Sequence, residues 1–208
     1  MERTWQVRPG RREDAQAAAT ALAAAFHDTE VFRWIVPDEA QRAHLLPPMF
    51  LGYTRHVHPF TGNPLVATEG SRVRAAALWA PPGQWRAPLW RTVLMMLTVL
   101  RTPGRKGMQQ FGDRGQPVDQ ALIAAHPTEP HWYLSVLGVD PSAAGTGAGG
   151  ALVRAGLDRA RETGHPAYLE CEEHLVGDDE RFGFQSRGPI RMPKGAPVQF
   201  GLWAEPRS

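Results

Sequence analysis

Five of the six residues from 145 to 150 are Gly or Ala. Backbone N–H groups in such a run can approach an anion with almost no side chain in the way, and a helix that starts there adds the positive end of its dipole. Further along, Glu170, Glu172, Glu173 and His174 collect proton acceptors around the end of an apolar run. A carboxylate there can accept a proton, directly or through one water, and attract a cationic group by charge. In a strand Glu170 and Glu172 share one face and Glu173 takes the other, and a solvated acidic strand end is the competing reading for each of them. His131, followed by Trp132 and Tyr133, is a second set, although a lone histidine is more often structural.

The elements that must hold these groups can be read from pattern. The segment 132–172 is an apolar run, a glycine-rich turn, an amphipathic run and a second apolar run. Gly149, Leu152, Val153, Gly156, Leu157 and Ala160 follow the spacing of one helical face, while Arg154, Asp158, Arg159, Arg161 and Glu162 fall on the other. Gly164 and Pro166 then stop the helix. The turn is therefore a phosphate cradle between two strands.

Two kinds of nucleotide-binding turn compete for it. Gly145, Gly147 and Gly150 spell G-x-G-x-x-G, and Glu170 stands where a dinucleotide-binding fold places the acid that holds a ribose. In that fold, however, the strand runs almost directly into the first glycine, and here residues 139–144 intervene. The chain after Glu170 also has little room for alternating helices.

The other candidate match is longer. Leu137-Gly138-Val139, Asp140-Pro141-Ser142-Ala143 and Ala144-Gly145-Thr146-Gly147-Ala148-Gly149 resemble the acetyl-CoA-binding motif of the GCN5-related N-acetyltransferase (GNAT) superfamily, a strand ending V-x-V or L-x-V, a D/H-P turn, then Q/R-x-x-G-x-G/A. Trp5 to Pro9 and the Ala-rich stretch to Phe26 resemble that family's opening strand and helix, and Arg181-Phe182-Gly183-Phe184 resembles its [KR]-x-G-F element. Pro130-His131-Trp132-Tyr133-Leu134 and Leu169-Glu170 are most similar to the branch holding puromycin N-acetyltransferase.

The resemblance implies a mixed α/β (α+β) fold, a strongly twisted sheet flanked by helices, in a single domain over residues 1–208. It implies an N-acetyltransferase that passes an acetyl group directly, within a ternary complex, from acetyl-CoA to a primary amine of a small molecule such as an antibiotic or specialised metabolite. No metal is implied. Leu137, Gly138 and Val139 would face the thioester, with Gly138 easing a strand bulge whose N–H groups stabilise a developing oxyanion. Ala144, Gly145, Thr146, Gly147, Ala148, Gly149 and Gly150 would take the pyrophosphate, and Glu170, Glu172 or His131 would be the proton acceptor.

Three positions depart from the family pattern. Ala144 stands where Gln or Arg is usual, Thr146 where a basic residue is common, and Asp179 where a Tyr protonates the leaving thiolate. Loss of a charged hydrogen bond would weaken phosphate binding by about 1.5–3 kcal/mol. An alkyl thiol with a pKa near 8.5 can still leave unaided. The same departures favour two alternatives: a degenerate GNAT-fold protein with a binding role, or a GNAT-fold enzyme using another acyl donor or reaction.

The remaining features bound the setting. A chain of 208 residues can bury roughly 70% of its unfolded surface without a staple. A lone cysteine, Cys171, excludes an internal disulfide, and the charged start with no apolar stretch behind it reads as no signal peptide, so the expected location is cytoplasmic. Net charge is only +2, with neither a nucleic-acid footprint nor a membrane-binding patch. Residues 89–100 are the most apolar run, too short to span a bilayer and read as a buried or interface helix that makes a homodimer plausible. The basic cluster 101–106, with Arg114, reads as a solvated loop or as a contact for an acidic cofactor tail. Trp34, Trp85, Trp90 and His27 are candidates to line an acceptor pocket.

Elsewhere the pattern predicts a strand at 5–8, a helix over 13–26, a helical region over 39–54 interrupted at Pro47-Pro48, a hairpin of 63–68 with 72–79, a helix over 118–125, and closing strands at 183–192 and 198–203.

Overall fold

Seven strands form one sheet in the order β1-β2-β3-β4-β5-β7-β6 in a computed structural model that describes residues 4–100 and 109–206. They are β1 (Gln6–Pro9), β2 (Leu65–Glu69), β3 (Arg72–Ala80), β4 (Trp132–Val139), β5 (Ala167–Glu172), β6 (Gln185–Ile190) and β7 (Gln199–Ala204). Every neighbouring pair is antiparallel except β4 with β5. The parallel pair needs a crossover, supplied by the amphipathic helix that follows the glycine turn. The mixed, helix-flanked sheet is the architecture expected from the sequence.

The helices are α1 (Ala15–Phe26), α2 (Glu30–Ile35), α3 (Glu39–Gly52), α4 (Leu89–Leu100), α5 (Gln116–Ala125), α6 (Ala148–Glu162) and α7 (Val176–Glu180). Helix α6 covers one face of the sheet, burying Leu152, Val153 and Ala160 against Ala77, Trp79, Leu134 and Leu169. On the other face α1 and α3 bury Leu22, Leu46, Met49 and Phe50 against Val66, Ala76 and Leu78. Gly156 is there because Trp79 lies against it, and a Cβ would sit 2.1 Å from Trp79 Cε2.

Three expectations are corrected. Helix α3 runs unbroken through Pro47 and Pro48, because buried Leu45, Leu46, Met49 and Phe50 anchor the turns on both sides and packing outweighs the lost backbone bond. Helix α4 is not buried: Leu89 is 79% exposed and Trp90 59%, and only Val99 of the helix is buried. It docks on α3 through Met95, whose Cγ would lie 2.6 Å from a Cβ at Gly52. The short helices α2 and α7 carry no periodic signal and were not anticipated. The basic cluster 101–106 lies outside the described residues.

The third correction concerns the bulge in β4. Leu78 pairs with Val136 and Trp79 with Leu134, so the extra residue is Ser135, not Gly138. The bulge flips the phase of the strand. Trp132 and Leu134 face α6 before it, and Leu137 and Val139 face α6 after it. Gly138 has a different task, since a Cβ there would lie 2.8 Å from Leu22 Cδ2 and 3.0 Å from Ala25 Cβ of α1. It lets α1 approach the strand.

Candidate active site

Pairing between β4 and β5 covers Trp132↔Ala167, Tyr133↔Tyr168 and Leu134↔Leu169 and stops there. Beyond that point β4 continues against β3 to Val139, and β5 continues against β7 to Glu172. The two strands part, so alternate N–H and C=O groups of 135–139 face away from β3 without a strand partner. Leu137, Gly138 and Val139 all lie on this stretch.

At the C-terminal end of β4, Asp140 shapes the turn by accepting hydrogen bonds from Ser142 N at 2.9 Å and Ser142 Oγ at 2.6 Å, with Arg74 3.6 Å away. These bonds hold its carboxyl below the ordinary range. Gly145 (φ 71°) and Gly147 (φ 89°) adopt the left-handed conformation, Gly147 as the residue before α6. Nothing lies within 4 Å of where their Cβ atoms would be, so backbone conformation rather than crowding calls for glycine. Ala148 is buried, Ala144, Gly145 and Gly147 are exposed, and Thr146, Gly149 and Gly150 are intermediate. The Thr146 carbonyl accepts from Trp5 Nε1 at 2.9 Å, which ties the turn to the start of the chain. Gly150 leaves room for Phe182, whose Cζ would be 2.9 Å from a Cβ. An open turn of glycines before a fifteen-residue helix is a fitting seat for a pyrophosphate.

The acidic residues separate in their tasks. Glu172 is buried, and its Oε1 accepts from Val31 N at 3.1 Å. It therefore satisfies an orphan donor in the first turn of α2. With Glu30 and His174 it forms a group of ligand atoms within 4.8 Å of one another. Glu173 and His174 are exposed.

Glu170 is the first β5 residue past the last pairing with β4. Its side chain is 6% exposed, Oε2 accepts from Tyr133 Oη at 2.8 Å, and the Tyr168 phenol stands near the same carboxylate. Gly201, opposite Glu170 in β7, makes room for this, since a Cβ would sit 2.8 Å from the Tyr168 hydroxyl. Burial first, then Glu170, holds both phenols well above the ordinary tyrosine range, so both stay protonated donors. Oε1 of Glu170 is buried without a hydrogen-bond donor, and His126 Nδ1 lies 3.6 Å from it.

His126 stacks under Trp85 (centroids 3.7 Å apart) and meets His131 Nε2 through its own Nε2 at 3.0 Å. His131 is thus one residue removed from Glu170, and burial lowers its pKa. Reading the sequence missed His126. No spacing marks it, because it enters from the end of α5. Of the aromatic set, Trp85 joins this cluster. Trp90 lies on the exposed face of α4, Trp34 carries Arg114, and His27 pairs with Asp28.

Asp179 hydrogen-bonds Cys171 on the α6 side of the sheet. Burial raises both groups, the thiol to about 12. A thiol so hard to ionise is a poor acyl relay. A separate cavity of about 280 Å³, lined by Arg154, His165, Phe182 and Glu205, holds none of the predicted site residues.

Comparison with known proteins agrees with this geometry. Residues 67–182 match the model of the acetyltransferase (GNAT) family. The fold is shared with a solved structure titled histone acetyltransferase HPA2 and related acetyltransferase from Corynebacterium glutamicum, at 23% identity, TM-score 0.69, covering 99% of this chain and 98% of that one. It is shared with an N-acetyltransferase from Staphylococcus aureus at 15% identity, TM-score 0.65, covering 96% and 100%. It is also shared with the Drosophila melanogaster polyamine N-acetyltransferase that forms N-acetylagmatine, at 18% identity, TM-score 0.55, covering 97% and 100%. With over half its length matched by the family model and its glycine turn, crossover helix and parted strands in place, the chain belongs to the GNAT family of N-acetyltransferases, which use acetyl-CoA as co-substrate.

Proposed function

We propose that this chain acetylates a primary amine of a small cationic molecule, with Glu170 as proton acceptor. The observation that carries this is a buried carboxylate with one oxygen lacking a donor, placed where β4 and β5 part and on the same strands that flank the glycine turn. An amine must be neutral to attack an acyl carbon, and a fixed carboxylate at hydrogen-bond distance, or one water away, removes the proton. Tyr133 fixes it by donating to Oε2.

Bound acetyl-CoA would supply the acyl group as a thioester. The residues suited to hold it are Gly145, Thr146, Gly147, Ala148, Gly149 and Gly150 at the start of α6, with Ala144 before them. Leu137 or Val139 would offer an unpaired backbone N–H of β4 to the acyl oxygen, with Gly138 between them. Burial raises the Asp179 carboxyl above the ordinary aspartate value.

The amine class rests on the charge of Glu170 and on the named substrates of two structural neighbours, a polyamine N-acetyltransferase and an agmatine N-acetyltransferase. The segments Pro130 to Leu134 and Leu169-Glu170 point to the puromycin N-acetyltransferase branch. We place the enzyme in the cytoplasm; among the described residues no helix is long and apolar enough to cross a membrane. The exposed stripe of α4 is the face a homodimer would use, and sedimentation analysis decides that.

The test is calorimetric titration with acetyl-CoA followed by a screen of polyamines, agmatine and aminonucleosides. One-to-one binding and acetylation of at least one amine are expected. No binding at millimolar ligand would reject the reading in favour of a degenerate relative.

A further inference from the structure

The hydrogen-bond pattern around Glu170 fixes where the protons sit. His131 Nδ1 lies 2.6 Å from the Glu129 carbonyl oxygen, which can only accept, so Nδ1 carries the proton. Burial keeps His131 neutral, which leaves its Nε2 as a lone pair. His126 Nε2, 3.0 Å away, must then be the donor. The only nitrogen of the two rings left uncommitted is His126 Nδ1, and it faces Glu170 Oε1, the one carboxylate oxygen without a donor. Both sites are buried, since the side chains of His126 and Glu170 are 2% and 6% exposed. Without a proton between them, a lone pair faces a carboxylate across 3.6 Å. One proton at that locus satisfies both, and every other partner is already in place.

We propose that the proton acceptor of this enzyme is the Glu170–His126 pair acting as a unit, with His131 as the neutral residue that sets the tautomer of His126. The inference rests on the acetyltransferase reading above. The balance is simple. An N–H bond of the substrate ammonium breaks, its electron pair stays on nitrogen as the nucleophile, and the proton passes through Glu170 to His126 Nδ1. Glu170 ends as carboxylate and His126 as imidazolium. Glu170 is the catalytic residue of the pair, and His126 and His131 are positioning residues.

The groups facing the pair are Tyr133 from β4, Tyr168 from β5 and Trp85 with Arg86 over its ring, and behind them Trp203 of β7, under Arg187 of β6, meets His131 and Tyr168. The two phenols do not titrate near neutrality. Arg187 and Arg86 are permanent cations. An added proton would therefore be shared between Glu170 Oε1 and His126 Nδ1, which face each other across 3.6 Å.

Two measurements decide the matter. Nitrogen NMR of the histidine rings in the unliganded protein is expected to show His126 protonated at Nε2 alone at high pH and at both nitrogens at low pH. In Glu170→Gln that titration is expected to move down by at least one pH unit. A His126 protonated at Nδ1 alone, or a titration indifferent to Glu170, overturns the pair. In steady-state acetylation, His126→Gln is expected to keep its acetyl-CoA affinity, lose roughly 10²-fold or more in kcat, and shift the acid limb of kcat/KM downward, because a lone carboxylate remains. Imidazole added to His126→Ala is expected to restore part of the rate. An active wild type whose acid limb is unmoved in His126→Gln removes only the pair. A wild type that acetylates no amine removes the proposed function with it.

Discussion

The two faces of the sheet do different chemistry. Beneath α6 lie apolar side chains and a turn that works through its backbone, so Gly145 and Gly147 matter for their φ angles and nothing else. Beneath α1, α3 and α5 the sheet buries groups that ionise: Glu170, His126, His131 and, further along, His58. The first face can bind an anion with almost no side chains. The second can hold and release protons, and it needs residues from several separate elements to do so. Binding and proton transfer should therefore fail independently.

The largest expected break is Glu170→Gln. It should lower kcat by roughly 10²–10⁴-fold, the usual worth of a general base, while acetyl-CoA affinity by calorimetry stays within error. If affinity falls along with the rate, the two faces are not separable and the assignment is lost.

His58 sharpens the contrast in pH terms. It is buried, stacked on Tyr53, and burial lowers its pKa from 6.5 to about 4, with Arg91 adding to the shift. A base depressed in the fold contributes stability above its unfolded pKa and loses it as pH falls through the folded one. Stability should thus drop between pH 6.5 and 4 by about 3 kcal/mol from this group. Urea unfolding of the wild type and His58→Phe at pH 7 and pH 4.5 measures it. Equal losses in both proteins would refute the assignment.

At the glycines of α6 and its turn the effects should be steric or conformational and indifferent to pH. Gly156→Ala drives a methyl into Trp79, and overpacking of about 1–3 kcal/mol should lower the melting temperature equally at pH 7 and 5.5. Gly147→Ala has open space but the wrong backbone, costing about 1–2 kcal/mol in the left-handed region. Acetyl-CoA should bind roughly fivefold to thirtyfold more weakly, with kcat at saturation unchanged. A larger loss in kcat than in affinity would contradict a backbone-only role.

The same contrast explains what could be read from sequence. Helix α6 and its turn are local, written in consecutive residues, and the crossover requires the parallel pair, so that half of the site was legible. Glu170 could be named from its place at the end of an apolar run, but only as one candidate beside Glu172 and His131. The bulge was assigned to Gly138, yet its true signal is the parity change from Trp132 and Leu134 to Leu137 and Val139. Gly138 is small for the sake of Leu22 and Ala25, residues far away in the chain. His126 was illegible for the same reason: it acquires its task only when α5 ends against β4 and β5. The prolines of α3 misled because propensity is a local rule and the anchors at Leu46 and Met49 are tertiary.

Three residue pairs join β4 to β5, fewer than join any other neighbours in the sheet. The cleft is therefore also the seam along which the molecule is least held together. A ligand bound between the parted strands would bridge this seam. Rigidity becomes a function of ligand concentration, worth about 2.7 kcal/mol at a hundredfold excess over Kd.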